Sequence, residues 1–369
     1  HGTQAATRRL LESHSRLGDH AGGAMLAIVG EATFGLIADR ATVGPDFMAT
    51  LFVEPYRIDD VELVPHVTSA IVELDELPDD PAAALRIATT ALVHVRQAHE
   101  GESVVYGAIM QREVERKRLL QVALKETIGD GADLEVHLQP QVDLSSGAVV
   151  GAEALLRWTR EGEAISPAEF IPIAEASGLT EALTDFVFER VAAWSHAHAG
   201  PLPVAVNLSM ADLNRPGFAT WVMGRLKALD LTPERIEFEV TEGIAMRDAP
   251  RAVRQVSQLN RAGYRIALDD FGTGYSSLGH FSQLPIDTLK IDRSFVNLLD
   301  KETARSSLAA IVLLMTSALK VDCVAEGIET EDQREALILL GCRIGQGFLL
   351  GRPTPIDRFN ETFGLQHRT

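Results

Sequence analysis

A series of polar residues recurs at the ends of short β-type runs, and their types limit the chemistry they can do. In chain order they are Glu153, Asn207, Glu239, the adjacent pair Asp269-Asp270, Lys290, Glu326 and Gln346. A single acidic residue in a β run is ordinarily a solvated edge group, and each taken alone has that reading. Five carboxylates brought to one place do not, because ionised carboxylates withdrawn from water need compensating cations. Oxygen donors that include an Asn carbonyl and lack His or Cys suit Mg2+ or Mn2+ better than zinc. Adjacent carboxylates at Asp269 and Asp270 let one bridge two ions while the other binds one. Two ions ~4 Å apart can activate a water and clamp the oxygens of an in-line phosphoryl displacement. Lys290 adds one fixed positive charge, and Arg157, just after the run that contains Glu153, can hold a phosphate oxygen at the rim.

These side chains meet only if the β runs converge. Runs at 135–139, 149–156, 203–208, 235–240, 265–269, 288–292, 322–325 and 343–347 alternate with helical stretches at 167–176, 180–197, 217–229, 249–262, 304–319 and 331–340. Gly263 and Gly341 stand where helices should end. The alternation is that of an α/β barrel or a doubly wound sheet. In an eight-stranded α/β barrel the C-terminal strand ends share one mouth, which would gather residues far apart in the chain.

The whole chain, 369 residues with 46% apolar and 23% charged residues, fits two globular domains. Its formal net charge of −18 repels polyanions, which argues against a nucleic-acid polymer or an anionic membrane as partner. The apolar stretches 308–319 and 24–37, the latter interrupted by Glu31, fall short of a bilayer span, and no signal peptide precedes them. His1-Gly2 lead almost at once into a helix-like run, as though a larger polypeptide had been cut, leaving room for an upstream sensor or membrane segment. Two cysteines, Cys323 and Cys342, are too few for a disulfide framework and read as buried thiols of a cytoplasmic protein or cytoplasmic portion. Eleven scattered His show no pair at zinc spacing beside a third ligand. Trp158, Phe170 and Phe295 read as core or barrel-wall residues.

Residues 1–106 read as a separate α+β unit. An amphipathic segment at 5–17 precedes apolar runs at 24–29 and 34–38, a strand-like run at 63–72, and a helix at 81–97 opened by Asp79-Asp80 and Pro81. A charged amphipathic helix over 108–128, with Ile109, Val114, Leu119, Leu120, Ala123 and Leu124 spaced for one apolar face, fills the connecting segment 107–129. The barrel then spans 130–365.

The motifs that carry these residues resemble the EAL family of cyclic di-GMP phosphodiesterases over 134–360. They are Gly151-Ala152-Glu153-Ala154-Leu155-Leu156-Arg157-Trp158, Val206-Asn207-Leu208-Ser209, Glu239-Val240-Thr241-Glu242, Asp269-Asp270-Phe271-Gly272-Thr273-Gly274-Tyr275-Ser276-Ser277-Leu278, Lys290-Ile291-Asp292-Arg293-Ser294-Phe295, Ala325-Glu326-Gly327-Ile328-Glu329 and Gln346-Gly347-Phe348. The resemblance implies a TIM-like (β/α)8 barrel whose first strand runs antiparallel to the rest. It implies one metal on Glu153, Asn207, Glu239 and Asp269, and a second on Asp269, Asp270 and Glu326. Lys290 matches the lysine that positions the attacking water, and Glu242 the glutamate that steadies the loop after Asp270. Gln139, Arg157, Glu329 and Gln346 match positions that contact or line the substrate. The implied reaction is Mg2+- or Mn2+-dependent opening of cyclic di-GMP to linear 5′-pGpG, suppressed by Ca2+, in a homodimer formed through the EAL domain. The alternative is a silent cyclic di-GMP receptor that signals by conformation; intact ligand positions favour the enzyme. The sequence departs from the family at Gly351-Arg352-Pro353, where Ser or Lys commonly precedes the Arg, and at Gly243.

The N-terminal unit resembles the later portion of a GGDEF domain. Gly30-Glu31-Ala32-Thr33-Phe34 stands where the signature belongs, but Ala32 and Thr33 replace the acidic residues a cyclase needs, and no Arg-x-x-Asp inhibition site precedes it. This implies a degenerate domain with a regulatory or dimerising role.

Overall fold

The computed structural model describes residues 13–15, 17, 24–30, 33–39, 43, 47, 51, 56–58, 61–63, 67–73, 80–98, 103–105, 108–131, 133–198, 200–241, 250–271, 284–299 and 307–366. The chain divides into two compact units, His1–Leu119 and Leu120–Thr369.

The second unit is a closed barrel of eight principal strands. They are β1 (Leu134–Asp143), β2 (Val149–Arg160), β3 (Val204–Asn207), β4 (Ile236–Thr241), β5 (Arg265–Phe271), β6 (Thr288–Ile291), β7 (Asp322–Ala325) and β8 (Ile344–Gly345). From β2 to β8 each strand lies parallel to the next. β1 closes the ring antiparallel to both neighbours, pairing Gln139 with Glu153 of β2 and Asp143 with Ile344 of β8. The TIM-like (β/α)8 fold with a reversed first strand is therefore present. Short strands at Glu163–Ile165 and Thr354–Pro355 add to the edges of β2 and β1.

Alternate residues of each strand face the barrel interior and the surrounding helices, so both faces are buried. Val204 and Val206 of β3 and Ile236, Phe238 and Val240 of β4 belong to the main apolar cluster beneath the helices. Phe188, Phe218 and Phe238 within it are fully buried, each side chain worth on the order of 2–3 kcal/mol of transfer free energy. The longer helices are Pro167–Ser177, Thr180–Ala197, Phe218–Ala228, Pro250–Arg261, Leu308–Leu319 and Glu331–Leu339. Their ends follow local chemistry. Ser166 and Ser307 cap helix starts, Thr330 and Gln333 form a reciprocal capping box, and Gly263 and Gly341 take positive φ just past the ends. Of the helix expected over 304–319, residues 304–306 lie outside the described residues.

Three strand expectations need correction. β1, expected at 135–139, runs on to Asp143, because its antiparallel pairing with β2 and β8 continues to that end. β2 runs four residues beyond 156, because its hairpin with Glu163–Ile165 continues the ladder, so Glu153 lies mid-strand and Arg157 inside the strand rather than after it. β8 is only two residues long, so Gln346 follows the strand. Cys323 and Cys342 are free thiols; a hydrogen bond with Cys342 and then burial push the Cys323 thiol up.

The helix Ala108–Asp130 spans the boundary between the units, and Leu120, Ala123 and Leu124 pack with Leu134, Trp158 and Phe170 in the second. Leu119, expected on the same face, is exposed, since successive helical positions differ by ~100° and only 120, 123, 124 and 127 share the buried stripe.

In the first unit, Met25–Gly30 and Thr33–Ile37 form an antiparallel hairpin, and Tyr56–Ile58 pairs with Val61–Leu63. The single run expected at 63–72 is two strands. Its second part, Ser69–Ile71, pairs in parallel with Ser103–Val105, a strand the sequence reading did not include. Asp80 accepts from the amides of Ala82 and Ala83 to start the helix Pro81–Ala98. Of the segment expected helical at 5–17, residues 5–12 and 16 lie outside the described residues, as do Glu31 and Ala32.

Candidate active site

Barrel register brings the acidic residues together. Asn207 stands level with Glu239, Thr241 with Asp269, and Lys290 with Val324, one strand before Glu326. The long Lys290 side chain, 1% exposed, ends among four carboxylates. Its Nζ lies 3.2 Å from Glu153, 2.8 Å from Glu239, 3.4 Å from Asp269 and 2.7 Å from Glu326. Glu153 is held by two side-chain amides as well, one on the oxygen that Lys290 contacts and one on the other. Asn207 Nδ2 donates to its Oε1 at 2.9 Å, and Gln346 Nε2 donates to its Oε2 at 2.7 Å. Gln346 Nε2 also donates to Gln139 Oε1 at 3.1 Å, and Gln139 Nε2 to the Gly351 carbonyl at 3.2 Å.

The electrostatics follow from one ammonium facing four acids. Burial raises the Glu153 carboxyl, but Lys290 and the amide donors outweigh it and hold it below the usual value. Burial and the Glu153 charge push Glu239 well above the carboxylate range despite Lys290. Glu326 is pushed up to about 7 by burial, with Lys290 opposing and Asp269 and Glu153 reinforcing. Lys290 itself rises well above an ordinary lysine, since the surrounding carboxylates overcome its burial. Both Glu239 oxygens are buried without a hydrogen bond, the 2.8 Å approach of Lys290 being an ion contact of unsuitable angle. Gln346 Oε1 is likewise buried without a partner.

A hard divalent cation suits this donor set. The donors are oxygens, and the unsatisfied oxygens of Glu239 and Gln346 are the kind a hydrated ion fulfils. Among the described residues no three His, Cys, Asp or Glu side chains stand at ion-holding spacing; the carboxylates converge on Nζ instead.

Glu153, Asn207, Glu239, Asp269, Lys290, Glu326, Gln139 and Gln346 thus gather as the sequence led one to expect. Arg157 is half-buried opposite Glu135, and its Nη1 donates to the Leu156 carbonyl at 2.8 Å rather than joining the cluster. Glu329 is exposed, and its amide donates to Gln333 Oε1 at 2.8 Å. Asp270 contributes backbone to β5; its side chain, Glu242 and the 272–283 loop lie outside the described residues.

Two features escaped the sequence reading. Phe348, half exposed directly after Gln346-Gly347, carries the Arg352 guanidinium 4.2 Å from its ring centre. Its signal is the aromatic that ends the Gln346-Gly347-Phe348 block; Trp158 and Phe170 are fully buried and Phe295 is partly buried against the core, as core or barrel-wall residues should be. The second is a polar cluster near the strand starts. Arg265 reaches Glu237 at 3.3 Å, Thr288 at 2.9 Å and Asp322 at 2.6 Å, while Thr288 Oγ1 donates to Glu237 at 2.5 Å.

Tight backbone contact holds the last strand ends in place. Gln346 N donates to the Ala325 carbonyl, Ile328 N to Gln346 O, and Leu349 N to Ile328 O. A Cβ at Gly347 would overlap the Ile328 backbone, so only glycine allows this seam. Gly327 needs its φ of 69° and sits against Arg293.

Residues 121–353 match the EAL domain family. The chain is 32% identical over 329 residues to the bifunctional diguanylate cyclase/cyclic di-GMP phosphodiesterase MucR of Pseudomonas aeruginosa, covering 87% of this chain and 47% of that protein. It is 34% identical over 284 residues to a second protein of that organism, a cyclic di-GMP phosphodiesterase, covering 76% of this chain and 48% of the relative. A solved structure of the PaMucR phosphodiesterase in complex with c-di-GMP aligns with a TM-score of 0.60 at 36% identity, over 65% of this chain and 99% of that one. The chain spans less than half the length of these curated relatives.

Proposed function

The chain belongs to the EAL domain family, and on that premise we propose that it hydrolyses cyclic di-GMP to linear 5′-pGpG with two Mg2+ or Mn2+ ions. The observation that carries this reading is the ring of Glu153, Glu239, Asp269 and Glu326, with a buried Glu239 carboxylate that lacks a hydrogen bond. Glu153, Asn207, Glu239 and Asp269 would hold one ion, and Asp269, Asp270 and Glu326 the other. Bound ions supply an acidified water and neutralise phosphate charge. Within the chain, Asn207 and Gln346 orient Glu153, while Gln139 fixes Gln346 through the hydrogen bonds already described. Lys290 orients the attacking water. Glu242 steadies the loop after Asp270, and Arg157 and Glu329 approach the substrate from the rim. Phe348, with Arg352 against one face, offers an exposed ring on which a purine can stack.

The test is chromatography of cyclic di-GMP incubated with the protein and Mg2+ or Mn2+. Linear 5′-pGpG should form, chelation should stop it, and Ca2+ should permit binding without turnover. Binding that never yields product under any of these ions would instead establish a receptor.

The hairpin Met25–Gly30 and Thr33–Ile37 supports reading the first unit as a degenerate GGDEF domain, regulatory or dimerising. Cyclic di-GMP made from GTP and Mg2+ would refute that. The EAL unit is read as a homodimer, a reading lost if light scattering finds full specific activity in a monomer. No helix among the described residues is long and apolar enough to cross a membrane. The two free thiols support a cytoplasmic placement, which fractionation of cells would check.

A further inference from the structure

We infer that Lys290 is a built-in counter-ion of the metal-free site: its ammonium holds the place between Glu153, Glu239, Asp269 and Glu326 and withdraws when divalent cations bind. Lysine and cation then compete for one set of carboxylates. The inference rests on the metal-dependent reading above and deepens it.

Three observations carry it. Lys290 is among the largest fully buried side chains of the protein, a rare state for a lysine unless paired, and every ion contact it makes is to the cluster. The cage has supports besides the lysine, since Asn207 holds Oε1 of Glu153, Gln346 donates to the Oε2 that Lys290 also contacts, and the register of β3, β4 and β5 sets Asn207, Glu239 and Asp269. The lysine also fills the cage incompletely. An ammonium has three donors, fewer than the four carboxylates around it, and both Glu239 oxygens accept no hydrogen bond. A filler that is central but under-coordinated can stabilise the site without cations and yield to ions that bring more charge and more coordination.

The competing picture is that Lys290 stands beside the ions and only holds a water, with no exchange of places. The two differ in the lysine's own signal. In the full chain labelled with 15N-lysine, the ammonium resonance of Lys290, assigned by its loss in Lys290→Arg, should be observable without metal, protected by its ion contacts. Saturating Mg2+ should remove or strongly shift it. A resonance unmoved by Mg2+ overturns the inference.

Calorimetry with Mn2+ gives an independent readout. Lys290→Met should bind Mn2+ more tightly by about tenfold or more, because a unit charge in contact with the ligands is gone. Arg157→Met, which removes the same charge outside the cluster, should change affinity by less than about threefold, since half-exposed charges are screened. Equal effects of the two variants would reduce Lys290 to a general electrostatic contribution and defeat the proposal. Metal-free Lys290→Met should also melt earlier than wild type and regain its loss with Mn2+. Should that variant not fold without metal, the wild-type resonance still decides. Wild-type protein that takes up no Mn2+, with or without cyclic di-GMP, brings down the metal-dependent reading and this inference together; uptake with an unmoved Lys290 brings down this inference alone.

Discussion

Glu153 is the most constrained residue of the site, gripped by Asn207, Gln346 and Lys290 at once. Its replacement by Ala removes an anionic ligand and also releases the amides that aim Gln346 and Asn207. Turnover should fall by about a thousandfold or more, as expected when an electrostatic element of the transition state is lost. Stability should move by no more than about 1 kcal/mol, because a lost hydrogen-bonded group is offset by relief of like-charge crowding. Steady-state rates and thermal melts on one preparation check both; near-normal turnover would remove Glu153 from the site. At this scale the sequence was informative about residue type and silent about direction. Acids at the ends of β runs announced a cation site. That Lys290 would touch four carboxylates depends on distances across a closed ring, which no local pattern carries. The same limit explains Arg157, whose motif matches while its guanidinium turns to the Leu156 carbonyl.

Elements position these residues through strand ends more than through strand interiors. β7 and β8 are short, so Glu326 and Gln346 lie beyond regular pairing and depend on the seam between 325–328 and 345–349. Gly347→Ala should force that seam apart. The expected result is a loss of about 1–3 kcal/mol from overpacking, together with a larger fall in turnover than the stability change explains. Urea unfolding beside kcat measurement tests this, and an unchanged kcat would show that the seam does not place Gln346. Helix ends were legible where their chemistry is local: Gly263 and Gly341 mark two of them in the sequence and take positive φ in the structure. The extension of β2 and the strand Ser103–Val105 were not, because each exists through a partner elsewhere in the chain.

For the molecule as a whole, chemistry and stability occupy different ends of the barrel strands. Arg265 opens β5 and Asp269 lies about 13 Å further along it. Arg265→Met would leave the buried Glu237 carboxylate with Thr288 as its hydrogen-bond partner in the cluster, which should cost about 1–3 kcal/mol. Because sites so separated act nearly independently, kcat of the folded protein should stay within about twofold. Thermal unfolding and initial rates check the pair, and a large kcat effect would mean the two clusters are coupled. The barrel itself was readable from alternating β runs and helices, whereas the reversal of β1 came only with the family resemblance, because strand direction leaves no local trace.

That reversed strand has a consequence in time. β1 emerges first of the eight, yet it waits for the last: Asp143 pairs with Ile344, and Leu138 with Thr354. Closing so wide a loop is entropically slow and comes late on any folding route. Synthesis proceeds from the N-terminus, so a nascent chain can stack β2 to β7 while its ring stays open. Gln346, the residue that ties Glu153 to Gln139, arrives only with the closing segment. The carboxylate centre is therefore completed at the end of barrel assembly, and a chain interrupted before residue 344 carries all of its acids and none of the finished site.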